Sequence, residues 1–310
     1  MRHIKTLCVL LVLLLSISAM AEEAKPSAPA KEGGPVVPVI DEGGKVPDAP
    51  EQLQLSYRFE KGQTNRYQVQ ILNRGSYRLL NSKKEQSLDT NTEMFFRQYV
   101  KNVQDGQYDV EWALLSGVVN IPDFGQSTIT LPEITYTMDE SGTIKKVSGL
   151  EHLALLPGKP EQKTLATIFG QLSSKGFPKE AIKVGDEWVR DYTVPVGDTD
   201  KITAKVTYKL TGYEKCDGYN CATIVSKYDY PVKYEITEKA DGKLKLEGKE
   251  TGEITARFAY VEGKLIRSEA FIQTDAKVAK ADGSGDAFVK LQINAVSHLL
   301  PPKKEEKEGS

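Results

Sequence analysis

The sequence predicts a mainly β protein. It reads as two antiparallel β-rich halves, curved sheets forming a half-barrel or a sandwich, joined by one amphipathic helix at about 160–175. Three observations predict it. Apolar and polar residues alternate through most of 51–300, as one-sided strands require; Ile202, Ala204, Val206, Tyr208 and Leu210 interleaved with Thr203, Lys205, Thr207 and Lys209 are the clearest run. Turn dipeptides such as Asp105-Gly106, Asp217-Gly218 and Glu262-Gly263 separate the runs at hairpin spacing. Beyond the first twenty residues a single stretch has a helical period: Leu165, Ile168, Phe169 and Leu172 fall on one stripe. Pro160 suits the first turn of that helix, and Gly176-Phe177-Pro178 ends it.

Residues 1–21 read as a secretory signal. Arg2, His3 and Lys5 form the basic end, Leu7 to Ile17 the apolar run, and Ala19-Met20-Ala21 the small-x-small cleavage site. The run is short for a bilayer span, which needs about 20 residues. Cys8 lies at its start, not after it, and so is misplaced for a lipidated cysteine. The expected location is therefore secreted or periplasmic, after cleavage near Ala21. Residues 22–50, rich in Pro, Ala, Gly, Lys and Glu, read as a disordered linker, because such a composition cannot bury enough surface to offset its ordering entropy. The charged end, 301–310, reads as a disordered tail for the same reason.

The first β half, 51–150, opens with Leu55-Ser-Tyr57-Arg-Phe59 as an alternating strand. Tyr67, Val69 and Ile71 mark the next. A strand over Thr92–Val103 turns at Asp105-Gly106 and returns through Tyr108, Val110, Trp112 and Leu114. Ser127–Met138 follows, with Pro132 suggesting an edge or a bulge, and Ser141-Gly142 turns into Thr143–Val147. Residues 151–184 form the helical connector. The second half, 185–300, begins at Gly185-Asp186-Glu187-Trp188. It runs through 202–210, turns at Asp217-Gly218, returns over Ala222–Tyr228, is interrupted at Pro231, and continues in strands over 254–260, 265–274 and 289–295. The halves share an order of punctuation: Asp105-Gly106 answers Asp217-Gly218, and Ser141-Gly142 answers Glu262-Gly263. Any antiparallel meander could show the same pattern.

Chemistry is sparse. A net charge of −2, with Lys and Glu interspersed, offers no electrostatic reason for a nucleic-acid or anionic-membrane partner. Cys216 and Cys221 flank the Asp-Gly turn, and in an exported chain they read as a disulfide; a redox pair or half a metal site are the competing readings of Cys-x4-Cys. His152 and His298 are the only histidines after the signal, and both read as surface residues. No nucleophile elbow, zinc motif, phosphate loop, dinucleotide fingerprint or calcium loop occurs. With 43 Asp and Glu, some carboxylate pair must lie close in space by chance. Catalytic, metal and cofactor residues are accordingly assigned to none. Eleven tyrosines fall in or beside the strands, and they read as sheet residues with one wet end, or else as the lining of a groove.

The segments Tyr57-Arg-Phe59-Glu-Lys-Gly62 and Phe177-Pro178…Val184-Gly185-Asp186-Glu187-Trp188 resemble those of a loose set of uncharacterised bacterial exported β-rich proteins. That resemblance implies export and no known activity. The strand-rich layout with one central helix is also similar to the periplasmic lipoprotein-carrier (LolA-like) half-barrels, which implies a curved sheet around acyl chains and carries over no residue. The functional reading is an exported, non-catalytic β protein holding an apolar or amphipathic ligand, such as lipid, in a curved sheet. A structural or protein-interaction module of the cell envelope is the alternative, and a hydrolase using a carboxylate pair comes third.

Overall fold

The computed structural model describes Gly44 and residues 46–80, 82–122, 125–149, 177–196, 200–238, 242–280, 282–283 and 285–302. The signal, most of the linker, most of the tail, His152 and the helix expected at 160–175 lie outside the described residues. Among the described residues there is no helix.

Thirteen strands follow in chain order: β1 (Thr64–Arg78), β2 (Glu85–Ser87), β3 (Thr90–Gln104), β4 (Gln107–Ile121), β5 (Gly125–Thr128), β6 (Ile134–Asp139), β7 (Ile144–Ser148), β8 (Glu187–Val196), β9 (Asp200–Cys216), β10 (Tyr219–Glu238), β11 (Gly242–Ala259), β12 (Lys264–Lys280) and β13 (Asp286–Leu299). They form one antiparallel sheet in the order β7-β6-β4-β3-β1-β13-β12-β11-β10-β9-β8, with β2 paired to β1 and β5 to β4. The two sequence halves are therefore one continuous sheet. The first half meanders outward from β1, and the second meanders inward from β8 until β13 meets β1. Tyr67 pairs with Leu299 and Arg78 with Phe288 along that seam.

The hairpin turns form as their residues require. Asp105 and Gly106 have φ of 50° and 68°, and Asp217 and Gly218 have 47° and 82°, the left-handed pair of a two-residue hairpin turn. Pro132 does break its strand, leaving β5 and β6 on either side. Pro231 does not. β10 runs through it in register with Lys249, while its pairing with β9 has already ended at Tyr228 opposite Val206. A proline is tolerated there because it deprives no described neighbour of a ladder hydrogen bond.

Leu55–Phe59 is not a strand. It crosses one end of the sheet as a strap. Leu53 bridges Ile182, the Tyr57 N–H donates to the Glu140 carbonyl at 2.7 Å, and the Arg58 N–H donates to the Gly263 carbonyl at 3.0 Å. The expected alternation is present, since Leu53, Leu55 and Phe59 are buried, but the backbone meets turns and not a ladder. The strap also measures the curvature. Glu140 follows β6 and Gly263 precedes β12, and a flat sheet would separate β6 from β11 by about 29 Å at about 4.8 Å per strand. Two consecutive residues touch both turns, so the sheet must bend around its inner face.

That face is packed in layers. At the strap end, Leu53, Leu55, Ile182, Trp188, Leu210, Ile224 and Phe258 form one core, and Phe59, Val100, Tyr108, Val110, Tyr136 and Met138 another. Tyr57 lies between them, stacked on Phe177 at 5.2 Å and edge-on to Phe258. Towards the far end, Met94, Phe96 and Val119 of the first half share a third core with Tyr230, Leu244, Leu246, Ile272 and Val289 of the second.

Candidate functional site

The outer face of β10 and β11 is lined with paired charges. Along β10 and β11, Lys227–Glu253, Lys249–Asp229, Lys233–Glu247 and Lys245–Glu235 form a ladder of exposed ion pairs. Such pairs contribute little each, about 0–1 kcal/mol, but they keep a long hairpin soluble. A shallow groove of about 540 Å3 lies on this face among Lys205, Thr207, Lys227, Asp229, Glu253 and Phe271. Arg257 joins Glu214 and Glu269, each at 2.9 Å. Burial pushes the Glu269 carboxyl up, but hydrogen bonds from Arg257 and Arg267 outweigh it and hold it below the usual range.

His298 stands beside Arg267 in register and is 8% exposed, not on the surface as expected. Burial first, and the Arg267 charge second, lower its pKa against an opposing pull from Asp217. Nothing nucleophilic adjoins it among the contacts described. Cys216 and Cys221 form the expected disulfide, with Cα atoms 6.2 Å apart, and both are buried against Ala259 and Ile266. Among the described residues no group of three or more His, Cys, Asp or Glu could hold a metal ion.

The inner face holds two features that sequence patterning alone did not isolate. One is a buried carboxyl. Tyr230, Glu250 and Thr274 are direct cross-strand partners on β10, β11 and β12. Tyr230 OH donates to Glu250 Oε1 at 2.9 Å, Tyr228 OH to the same oxygen at 3.3 Å, and Thr274 Oγ1 to Oε2 at 3.1 Å. Glu250 is 1% exposed and meets only hydroxyls in these contacts. Burial pushes its pKa up, against those three hydrogen bonds. Gly252 makes room for the cluster, since a Cβ there would lie 2.3 Å from Tyr228 Cζ.

The other feature is a basin. Two neighbouring rows cross β11, β12, β13 and β1 between the sealed layers. Ile254 pairs with Ala270, Ala270 with Ala295 and Ala295 with Ile71, while Ala256 pairs with Ser268, Ser268 with Ser297 and Ser297 with Val69. Ile254, Ala256, Ser268, Ala270, Ala295, Ser297 and Val69 are all half-buried, although they point to the inside of the bend. One row towards the Glu250 end, Ile272 and Ile293 are each 1% exposed; one row towards the strap, Phe258 is 1% exposed. The small side chains of the basin leave part of the apolar surface accessible between two buried rows, with Val69, Ala270 and Ala295 packed against the edge of the third core. None of the basin residues carries a charge.

The tyrosines divide between these parts. Tyr57, Tyr67, Tyr108 and Tyr136 pack in the cores, and Tyr228 and Tyr230 serve Glu250. Burial pushes the Tyr57 phenol up to about 12. Tyr192 and Tyr208 hydrogen-bond to each other beside Trp188, which stacks on Tyr208 at 5.5 Å as a core anchor. The cue that sequence reading missed was available in the polar-apolar runs. The inward positions of β11 to β13 include Ala256, Ser268, Ala270, Ala295 and Ser297, a run of small residues between the larger Phe258 and Ile272.

No protein-family model matches this chain, and no curated protein matches it. Among solved structures it is similar to a lipovitellin determined for its lipid–protein interactions, at 10% identity and a TM-score of 0.42, covering 82% of this chain and 27% of that one. The chain thus spans about a quarter of the lipovitellin's length. An engineered protein examined for asymmetric conductivity (9% identity, TM-score 0.24) and a triply substituted Rh. blastica porin (7%, 0.23) each match over 77% of this chain and 99% of their own. These likenesses are too distant to bear on function. The resemblance to uncharacterised exported proteins therefore rests on the short sequence motifs alone, and that to the lipoprotein carriers on the strand-rich layout alone.

Proposed function

We propose that this is an exported, non-catalytic protein that holds an apolar or amphipathic ligand on the inner face of its bent sheet. The observation that carries the reading is the basin: half-buried, partly accessible apolar side chains inside the bend, between layers whose own side chains are sealed. Water gains nothing from such a surface, whereas an alkyl chain would gain about 0.8 kcal/mol for each CH2 it buries there. Mostly apolar concavities with a few polar groups are the usual form of ligand sites. The signal-like start and the Cys216–Cys221 disulfide support export, since disulfides persist in oxidising compartments.

The test is binding of the fluorescent probe N-phenyl-1-naphthylamine to delipidated protein, with native mass spectrometry of the undelipidated sample beside it. The wild type should bind the probe and carry a co-purifying apolar ligand. Ala256→Leu and Ala270→Leu fill the basin with side chains that remain partly accessible. They should weaken the probe at least tenfold while lowering Tm by only a few degrees. A wild type that binds neither probe nor any co-purifying ligand overturns the reading.

A further inference from the structure

The basin also constrains what its ligand can be. Its polar groups are all neutral. Ser268 and Ser297 are direct cross-strand partners at its centre, half-buried, and neither hydroxyl enters any hydrogen bond described in the protein. At the β3 end of the neighbouring row, Thr92 lies opposite Ile71; it is fully buried on the inner face, and its Oγ1 has no hydrogen-bond partner. Asn73, 5% exposed, donates to Thr90 Oγ1, but its Oδ1 is likewise unpaired. Buried polar groups ordinarily find partners, so these two orphaned atoms, with two unengaged serines on the same face, amount to unmet hydrogen-bonding capacity.

Shape adds a second limit. The basin crosses three interstrand steps, about 14 Å at about 4.8 Å each, and is only two rows of residues wide. The ion pairs of Lys and Arg stand on the outer face. On the inner face Glu250 is sealed by its own three hydroxyl partners, and Arg190, on β8 in the row of Val206 and Tyr228, lies three strands beyond β11 and donates to the Val189 and Phe177 carbonyls.

We infer that the ligand is an uncharged, single-chain amphiphile whose hydroxyl, ester or amide group lies against Ser268 and Ser297, with its chain along the Ile254–Ala270–Ala295 row towards Thr92. An anionic head at the serine pair would be desolvated with no cation among the basin residues to meet it, and a charge buried without a partner is costly. A second acyl chain has no room between rows that are already sealed. A ligand hydroxyl can both donate and accept, which suits two serine hydroxyls. This inference rests on the proposed binding function.

The experiment is competition against bound N-phenyl-1-naphthylamine at pH 8 by dodecanol, dodecanoate and 1-chlorododecane, in the wild type, Ser268→Ala/Ser297→Ala and Thr92→Val. Dodecanol should displace the probe at concentrations at least tenfold below those of dodecanoate and several-fold below those of 1-chlorododecane. The double serine variant should remove the advantage over 1-chlorododecane and leave 1-chlorododecane unchanged. Both variants preserve shape, and Tm confirms that they fold. Thr92→Val should weaken dodecanol less than the serine pair does. If dodecanoate binds as tightly as dodecanol, or if the serine pair changes nothing, the uncharged ligand class is overturned while the binding function stands. If no amphiphile displaces the probe and none binds directly, both fall.

Discussion

At the scale of the residue, Glu250 is the least expected group in the molecule. A carboxyl among apolar strands is tolerable when neutral and hydrogen-bonded, and Tyr228, Tyr230 and Thr274 meet that condition. Its folded-state pKa is raised by burial. The sign of the pH dependence follows. The stability Glu250 contributes is fully present below its unfolded pKa, about 4.3, and is lost as pH rises through the higher folded value. Glu250→Gln should therefore match the wild type in Tm at pH 4 and become the more stable of the two as pH rises to 8. A Tm difference that stays flat over that range would sink the assignment. Glu250→Ala instead removes the acceptor of three hydroxyls and should cost about 1–3 kcal/mol at pH 4, and less as pH rises. None of this was legible in the sequence, where Lys249-Glu250-Thr251 reads like any solvated stretch of the Lys/Glu ladder. Only register places Glu250 inward, and register belongs to the pairing of strands, not to the residue.

At the scale of the element, the strap and its two turns fit each other. Gly142 and Gly263 both have positive φ, 85° and 66°, and both are also approached by the strap. A Cβ on Gly142 would lie 2.7 Å from the Tyr57 ring, and one on Gly263 2.4 Å from the Arg58 backbone nitrogen. Gly218, at φ 82°, has nothing near its missing Cβ. Alanine at Gly218 should thus cost only the left-handed backbone penalty, about 1 kcal/mol. Gly142→Ala should cost more, because a ring edge must shift, and Gly263→Ala most, because backbone must. Urea midpoints for the three variants give the order, and equal midpoints would deny the strap its close approach. These turns were legible because Asp-Gly, Glu-Gly and Ser-Gly dipeptides act locally. The strap was not. Leu55, Tyr57 and Phe59 alternate as a strand does, and the sequence does not say whether the intervening backbone groups meet a ladder or two turns.

At the scale of the whole molecule, the strand content and the bend were legible, because one-sided strands with little else to cover them must curve or pack face to face. The joining of the halves was not, since no local signal says that β1 pairs with β13. The third core draws on both halves, so neither is complete alone. Residues 46–149 and 177–302, expressed together as separate chains, should co-purify and show the far-UV spectrum of the intact sheet. Each alone should be aggregated or unfolded, because each would expose a long seam strand and half of that core. Two independently soluble, monomeric fragments would mean that the seam is not a structural one. The same topology explains why the sheet stays open. Its main path has eleven antiparallel strands, so β7 and β8 run in the same direction at the two edges. Closing it would need a parallel pair, against a short β7 and a β8 that carries Pro195.

The β1–β13 seam also sets an order in time. Tyr67 must wait for Leu299, so the first strand in the chain can be completed only by the last. The hairpins β9–β10, β11–β12 and β3–β4 close over two to four residues and can form in microseconds, whereas the seam closes nearly the whole folded chain. Folding should therefore be slow relative to its hairpins, as high contact order dictates. Throughout that delay β1 presents an unpaired edge beside the unfinished core, and the nascent protein is at its most vulnerable to aggregation just before its final strand arrives.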